Sequence, residues 1–262
     1  MTSHPVQDFY GFSRMPFGKD FEVASAFRSP SLENAVSMLG LGIQTEDILL
    51  LTGPIGGGKS VALRVFQSGL DLNRYHPVFL RGLGLSARDL VKSVLQGLLV
   101  EPPFGQTQAN TLFFKTVTEF GRKPIVLIDD AQELSSDALL SLKTLASFEG
   151  DSKSRVTFIL CGQPELRDIL KYSRFASIQQ RIRLWMEFTG MGLEESCRYI
   201  DHCVQAAGRP SPLFSDSAKS EIHKRSQGVP RRVNRICLRS LFEGAARKVA
   251  VIDASNLLFD DD

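Results

Sequence analysis

Along the chain, short runs of consecutive apolar residues alternate with longer stretches in which apolar positions recur every three or four residues. Ile48–Leu51, Ile125–Ile128 and Phe158–Cys161 are uninterrupted runs, far below the roughly 20 residues that a membrane-crossing helix needs. Apolar runs of this length, without the polar alternation of a half-exposed sheet, predict strands buried on both faces. Strands are expected near 48–52, 77–81, 124–129, 156–162 and 184–189, and helices near 59–70, 86–99, 109–121, 135–148 and 165–182. Successive strands are thus separated by stretches long enough to cross back over a sheet, which predicts an α/β fold with a parallel five-stranded sheet between helices.

The pattern changes at Leu193. Leu193, Cys197, Ile200 and Val204 share a helical spacing, as do Val233, Ile236, Cys237, Leu241 and Ala245, with no strand pattern between them. The expected division is an α/β domain with an N-terminal latch segment over residues 1–190, and a C-terminal helical lid over 191–262. The turn-rich stretch from Gly208 to Ser217 offers Ser215 as an N-cap and is expected to join two lid helices.

Composition adds limits. With 262 residues, 43% of them hydrophobic, the chain can build one large core plus a small helical appendage. The first residues have neither the basic start nor the apolar stretch of a secretory leader, so a cytoplasmic protein without a membrane partner is expected. Cys161, Cys197, Cys203 and Cys237 lack metal-ligand spacing and are expected to be core thiols. The formal charge of +2 is too small to argue for nucleic acid, although Lys224, Arg225, Arg231, Arg232, Arg235, Arg239, Arg247 and Lys248 crowd one late segment and Asp260–Asp262 end the chain in acid.

Candidate chemistry begins after the first strand. Gly53-Pro54-Ile55-Gly56-Gly57-Gly58-Lys59-Ser60 fits the eight-position phosphate-binding loop, preceded by an apolar run and followed, from Val61, by a helical one. Its four glycines allow backbone N–H groups to turn inward around phosphate oxygens, and the following helix adds its positive end. Lys59 then faces the β- and γ-phosphates of ATP, and the Ser60 hydroxyl serves Mg²⁺. A second element, Pro124-Ile-Val-Leu-Ile-Asp129-Asp130, ends an apolar strand in two carboxylates. Asp129 is expected to organise the Mg²⁺ shell and Asp130 to orient or polarise the attacking water.

These and further blocks together resemble the ExeA-like AAA+ ATPases, a branch spanning secretion-accessory and soluble transposition ATPases and related to the TnsC, TniB, MuB and IstB regulators. The resemblance runs from Phe9-Tyr-Gly-Phe12, Pro16-Phe17 and Phe27-Arg-Ser-Pro30 through the phosphate loop and Ile128–Leu134, and on to Leu160–Leu166, Gln180-Arg181-Ile182 and Gly228–Arg235. It implies an AAA+ P-loop NTPase fold. It also implies that Gln163 acts as sensor 1 between the water and the γ-phosphate, and that Arg231 acts as sensor 2 from the lid, with Arg232 as its rival. Arg181 takes the position from which this class presents an arginine to a neighbouring subunit's ATP, with Arg174 and Arg183 as rivals. Phe12, Pro16 and Phe17 either pack the adenine or form a hydrophobic latch that closes the sheet edge. Asp130 stands where the family usually has Glu, one methylene longer, which implies slow turnover with ATP binding intact.

The resemblance implies ATP hydrolysis in a self-assembled hexameric ring or helical filament. The leading expectation is a regulator of DNA transposition that assembles on duplex DNA without sequence preference, selects the target and recruits a transposase. Two surfaces are candidates for the duplex: the stripe Arg232, Arg235 and Arg239, and the segment after the second strand with Arg81, Arg88 and Lys92. The alternatives are a secretion-accessory ATPase, a lineage that carries a membrane span and a peptidoglycan-binding region after the ATPase domain where this sequence ends, and a nucleotide-gated scaffold that hardly hydrolyses ATP.

Overall fold

The computed structural model describes residues 5–18, 23–45, 47–147 and 155–259. Asp260–Asp262 and the last residue of the helix expected over 135–148 lie outside them. The chain divides into two compact units, one of Pro30–Gly53 with Lys59–Phe188, the other of Met1–Ser29 with Pro54–Gly58 and Thr189–Asp262. Contacts therefore group the first 29 residues with the C-terminal helices, a different partition from a single boundary at residue 190.

The α/β unit holds strands β1 (Ile48–Thr52), β2 (Tyr75–Arg81), β3 (Lys123–Asp129), β4 (Thr157–Gly162) and β5 (Ile182–Glu187). They form one five-stranded parallel sheet in the order β2-β3-β4-β1-β5, as the apolar runs predict. All residues of β1 and β4 are buried, because helices cover both faces. Alternation sorts the side chains: Ile48, Leu50, Val126, Ile128, Phe158 and Leu160 belong to one core cluster with residues of α4 (Ala87–Gly97), α5 (Gln106–Glu119) and α6 (Ser136–Ala146). Strands β2 and β5 are the two edges, and β2 carries Pro77 at its third position. A strand proline fits only where its nitrogen, which has no hydrogen to donate, faces away from the ladder.

Two elements differ from the sequence pattern. Helix α2 (Pro30–Thr45) precedes the sheet, where no helix was expected, and packs against β1 and α3 (Lys59–Ser68). The single helix expected over 165–182 is instead α7 (Pro164–Leu170), a 3-10 turn at Ser173–Phe175 and the short α8 (Ala176–Gln179). Lys171-Tyr172-Ser173 breaks the helix without proline or glycine, while Leu170, Phe175 and Ile178 still reach the core and so preserve the apolar spacing.

In the second unit, α1 (Pro5–Tyr10), α9 (Leu193–Ala206), α10 (Asp216–Ser226) and α11 (Pro230–Ala246) enclose a separate core. Ser215 caps α10, its hydroxyl accepting the Ala218 N–H at 3.2 Å. Lys219 is buried and donates to Asp201 at 2.7 Å, which ties α10 to α9 through a paired charge. Phe12 and Phe17 lie in this core, with Phe17 edge-on to Phe214 at 6.1 Å between centroids.

The entry to α11 is a close backbone crossing. The Met191 N–H donates to Gly228 O at 2.9 Å, and Gly228 has φ +69. A Cβ there would stand 1.9 Å from Met191 O. Gly228→Ala should therefore destabilise this unit by about 2 kcal/mol or more, from left-handed strain and a backbone clash. Denaturant unfolding of parent and variant measures it; equal midpoints would contradict the crossing.

Candidate functional site

Strand order sets the site. Because β4 lies between β1 and β3, the loop after β1 and the acids at the end of β3 emerge at the same, carboxyl end of the sheet, two strand spacings or about 10 Å apart. Ser60, at the second position of α3, donates its hydroxyl to Asp129 Oδ2 at 2.8 Å and closes that gap. Lys59 is buried, and its ammonium donates to Gly53 O at 2.8 Å across its own loop. Beneath them sits Cys161 of β4, fully buried. Burial first, and then the Asp129 carboxylate, push its thiol well above the ordinary range, with Lys59 opposing. Cys161 is thus a neutral thiol in the floor and no nucleophile.

The residues after β3 are held by a tight turn. Asp130 is left-handed (φ 52, ψ 43) and leads a 3-10 turn at Ala131–Glu133, and its own N–H donates to Asp129 Oδ1 at 3.0 Å. Aspartate is among the residues that tolerate this conformation. The loop after β2 is laced onto the same turn: the Gly82 N–H donates to Asp129 O at 2.8 Å, the Gly84 N–H to Glu133 O at 3.0 Å, and the Ser135 N–H to Leu85 O at 3.2 Å. The Ser135 hydroxyl and then the Ala87 N–H hold the Asp137 carboxyl below its usual range, which secures the far end of the lacing.

Gln163, expected from sequence to act as sensor 1 after the fourth strand, is the N-cap of α7, and its backbone N–H donates to Gln132 Oε1 at 3.1 Å. Gln132 also donates from Nε2 to Asp130 Oδ1 at 3.3 Å. Sequence reasoning missed Gln132, since a glutamine inside Asp130-Ala-Gln-Glu-Leu has nothing to distinguish it from a solvated one. Arg181 is half-buried just before β5, whereas its rival Arg174 stacks its guanidinium on Phe175 at 4.7 Å. Arg88 donates to Phe104 O, and Lys92 lies 5.9 Å from the Phe104 ring, so two of the three basic residues proposed after β2 engage the chain itself. In the helical unit, the Arg231 N–H donates to Gly56 O at 3.2 Å, and the Arg231 stem occupies the space that a Cβ on Gly56 would need.

A P-loop at the carboxyl end of β1, an acid at the end of β3 and this strand order occur together in one class. The fold is that of an AAA+ P-loop NTPase. Residues 43–170 match the family model of the AAA domain. The chain is similar to general secretion pathway protein A of Aeromonas hydrophila, 28% identical over 247 residues, covering 91% of this chain and 45% of that relative. The chain thus spans under half of that relative's length. Among solved structures it is similar to Cdc6p of Pyrobaculum aerophilum, with a TM-score of 0.70 at 17% identity over 90% of this chain and 67% of that one. The Orc1 protein of Aeropyrum pernix, solved in complex with DNA, gives 0.64 at 13% over 92% and 66%. The RuvB Holliday junction branch migration motor of Thermotoga maritima gives 0.56 at 17% over 87% and 67%. At these identities the structural likenesses speak for the AAA+ fold alone.

An AAA+ site implies Mg²⁺ and a nucleotide, and the residues present suit both. Ser60 and Asp129 offer adjacent exposed oxygens, the donor type of a hard cation that keeps waters and phosphate oxygens as its other ligands. Among the described residues no group of three or more His, Cys, Asp and Glu side chains is placed to hold a metal ion. No helix among them is long and apolar enough to cross a membrane.

The lacing makes Gly82 critical, because a Cβ there would stand 2.4 Å from Asp130 O. Gly82→Ala should cost about 1–3 kcal/mol of stability as the Asp130 turn is displaced. Thermal unfolding reads the loss, and an unchanged midpoint would mean that the turn yields freely.

Proposed function

We propose that this chain binds Mg-ATP and hydrolyses it slowly, as the nucleotide-driven core of a self-assembling AAA+ protein. The observation that carries this is the Ser60–Asp129 bond beside the buried Lys59, which sets a hydroxyl, a carboxylate and an ammonium at the head of one loop. In this reading Ser60 and Asp129 hold the cation and Lys59 faces the β- and γ-phosphates. The cation, when bound, supplies charge neutralisation at the transferring phosphoryl group. Gly53, Pro54, Ile55, Gly56, Gly57, Gly58 and Val61 surround the phosphates as backbone and loop shape. Asp130 orients the attacking water and Gln163 meets the γ-phosphate side. Its short side chain leaves Asp130 less reach than Glu, so turnover is slow.

Arg231 as a sensor is supported by its bond to Gly56, within the loop itself. Arg181 as a residue acting on a neighbouring subunit's ATP is supported by its place before β5 and by the stacking that occupies Arg174. Phe17 as a base contact has weaker support, since its ring packs on Phe214; a role in anchoring the N-terminal segment suits it better.

Two cellular settings fit such an ATPase. Similarity to a general secretion pathway protein favours an accessory ATPase in secretion. The leading expectation from the sequence, a transposition regulator that assembles on duplex DNA in the cytoplasm and recruits a transposase, is compatible with a fold shared with proteins that act on DNA.

Lys59→Ala should weaken ATP binding roughly 10- to 100-fold, the worth of a hydrogen bond to a charged group, with the unfolding midpoint close to the parent's. Calorimetric titration with Mg-ATP tests it, and parental affinity in the variant would sink the nucleotide site. The settings separate by fluorescence anisotropy on a long random duplex at several salt concentrations. ATP-dependent binding that falls steeply with salt is expected for the transposition setting. Its absence in protein that binds ATP and assembles would leave the secretion setting.

A further inference from the structure

Gln132 joins two parts of the site that the chain itself leaves separate. Its amide spans from the carboxylate of Asp130, at the turn after β3, to the backbone of Gln163, after β4. The orientation of that amide is fixed by its partners. A backbone N–H can only donate, so the group facing Gln163 is the amide oxygen, and an ionised carboxylate can only accept, so the group facing Asp130 is the NH₂. Room for the span comes from Gly162, where a Cβ would stand 2.7 Å from Gln132 Oε1. The Gln163 N–H precedes α7 and lies outside its helical ladder, so its partner comes from a side chain.

We propose that Gln132 is a positioning residue that fixes the orientation of the Asp130 carboxylate relative to the Gln163 segment, so that the two sides of the reacting phosphate are set as one rigid unit. This rests on the ATPase reading above and adds a residue to it. Asp130 has only one side-chain bond fewer to rotate than Glu, and it compensates for lost reach only if its carboxylate is aimed. One oxygen held by Gln132 leaves the other, Oδ2, to accept from the water. Because Gln132 acts through Asp130 and the Gln163 backbone, its loss is expected in the rate of the chemical step and not in nucleotide affinity.

Two variants separate its two ends. Gln132→Glu keeps an acceptor for the Gln163 N–H but replaces the donor to Asp130 with a second carboxylate, whereas Gln132→Met removes both. In the full chain, both should lower kcat by about 10- to 100-fold, the scale of a misplaced reacting group, with ATP affinity within about twofold of the parent. Hydrogen exchange at the Gln163 amide, read by NMR, should speed up in Gln132→Met and stay slow in Gln132→Glu. In an Asp130→Asn background, Gln132→Met should cause no further loss of turnover, because it acts through a carboxylate already removed. Parental kcat in Gln132→Glu, losses that multiply in the double variant, or a Gln163 amide unmoved by Gln132→Met would overturn the proposal while leaving the ATPase reading standing. A parent chain that binds ATP yet turns over equally with Asp130→Asn would overturn the role of Asp130 and this proposal together, and one that binds no ATP would overturn the nucleotide site itself.

Discussion

Everything at the candidate site depends on one constraint, the insertion of β4 between β1 and β3 in a sheet buried on both faces. Parallel strands deliver their following loops to the same end of the sheet, and the intervening strand holds the phosphate loop and the Asp129 turn about 10 Å apart. Ser60 and Asp129 meet across that spacing, above the Cys161-Gly162 end of β4, through a 2.8 Å bond. A Cβ at Gly162 would meet Gln132 Oε1 at 2.7 Å and Leu166. Burial and the Asp129 carboxylate hold the Cys161 thiol well above its ordinary range, so this floor adds no negative charge beside that carboxylate.

The second constraint is the lacing of the β2 loop onto the turn after β3. Gly82, Gly84 and Leu85 exchange backbone bonds with Asp129, Glu133 and Ser135, so the left-handed Asp130 is held from both sides in sequence. A residue in a sparsely populated conformation persists only when its surroundings over-determine it. The cost of that conformation is met by backbone pairing, which leaves the Asp130 side chain to take its partner from Gln132.

Much of the architecture was legible in the sequence because its signals were local. Buried parallel strands read as unbroken apolar runs, and β1, β3 and β4 fall within a residue of where those runs put them. Ser215 was recognisable as a cap because capping is local, joining its hydroxyl to the Ala218 N–H three residues on. What stayed hidden depended on distant partners or on mixed patterns. Helix α2 contains Gly40 and Gly42 with an exposed Leu41, which blurs its apolar stripe. The break after α7 preserves apolar spacing through a 3-10 turn, so periodicity alone runs straight across it. The site residues of the P-loop and the β3 acids are contiguous motifs and could be read directly, whereas Gln132 acquires its meaning only from Gln163, 31 positions away.

Pro77 has a consequence beyond the strand that contains it. β2 is an edge of the sheet, and an open edge is a template on which a second copy of the chain can extend the sheet from one molecule to the next. A residue with no hydrogen to donate, placed in the middle of that edge, interrupts the ladder that such an extension would need. This edge is thereby shielded from runaway strand stacking, the starting point of amyloid-like aggregation.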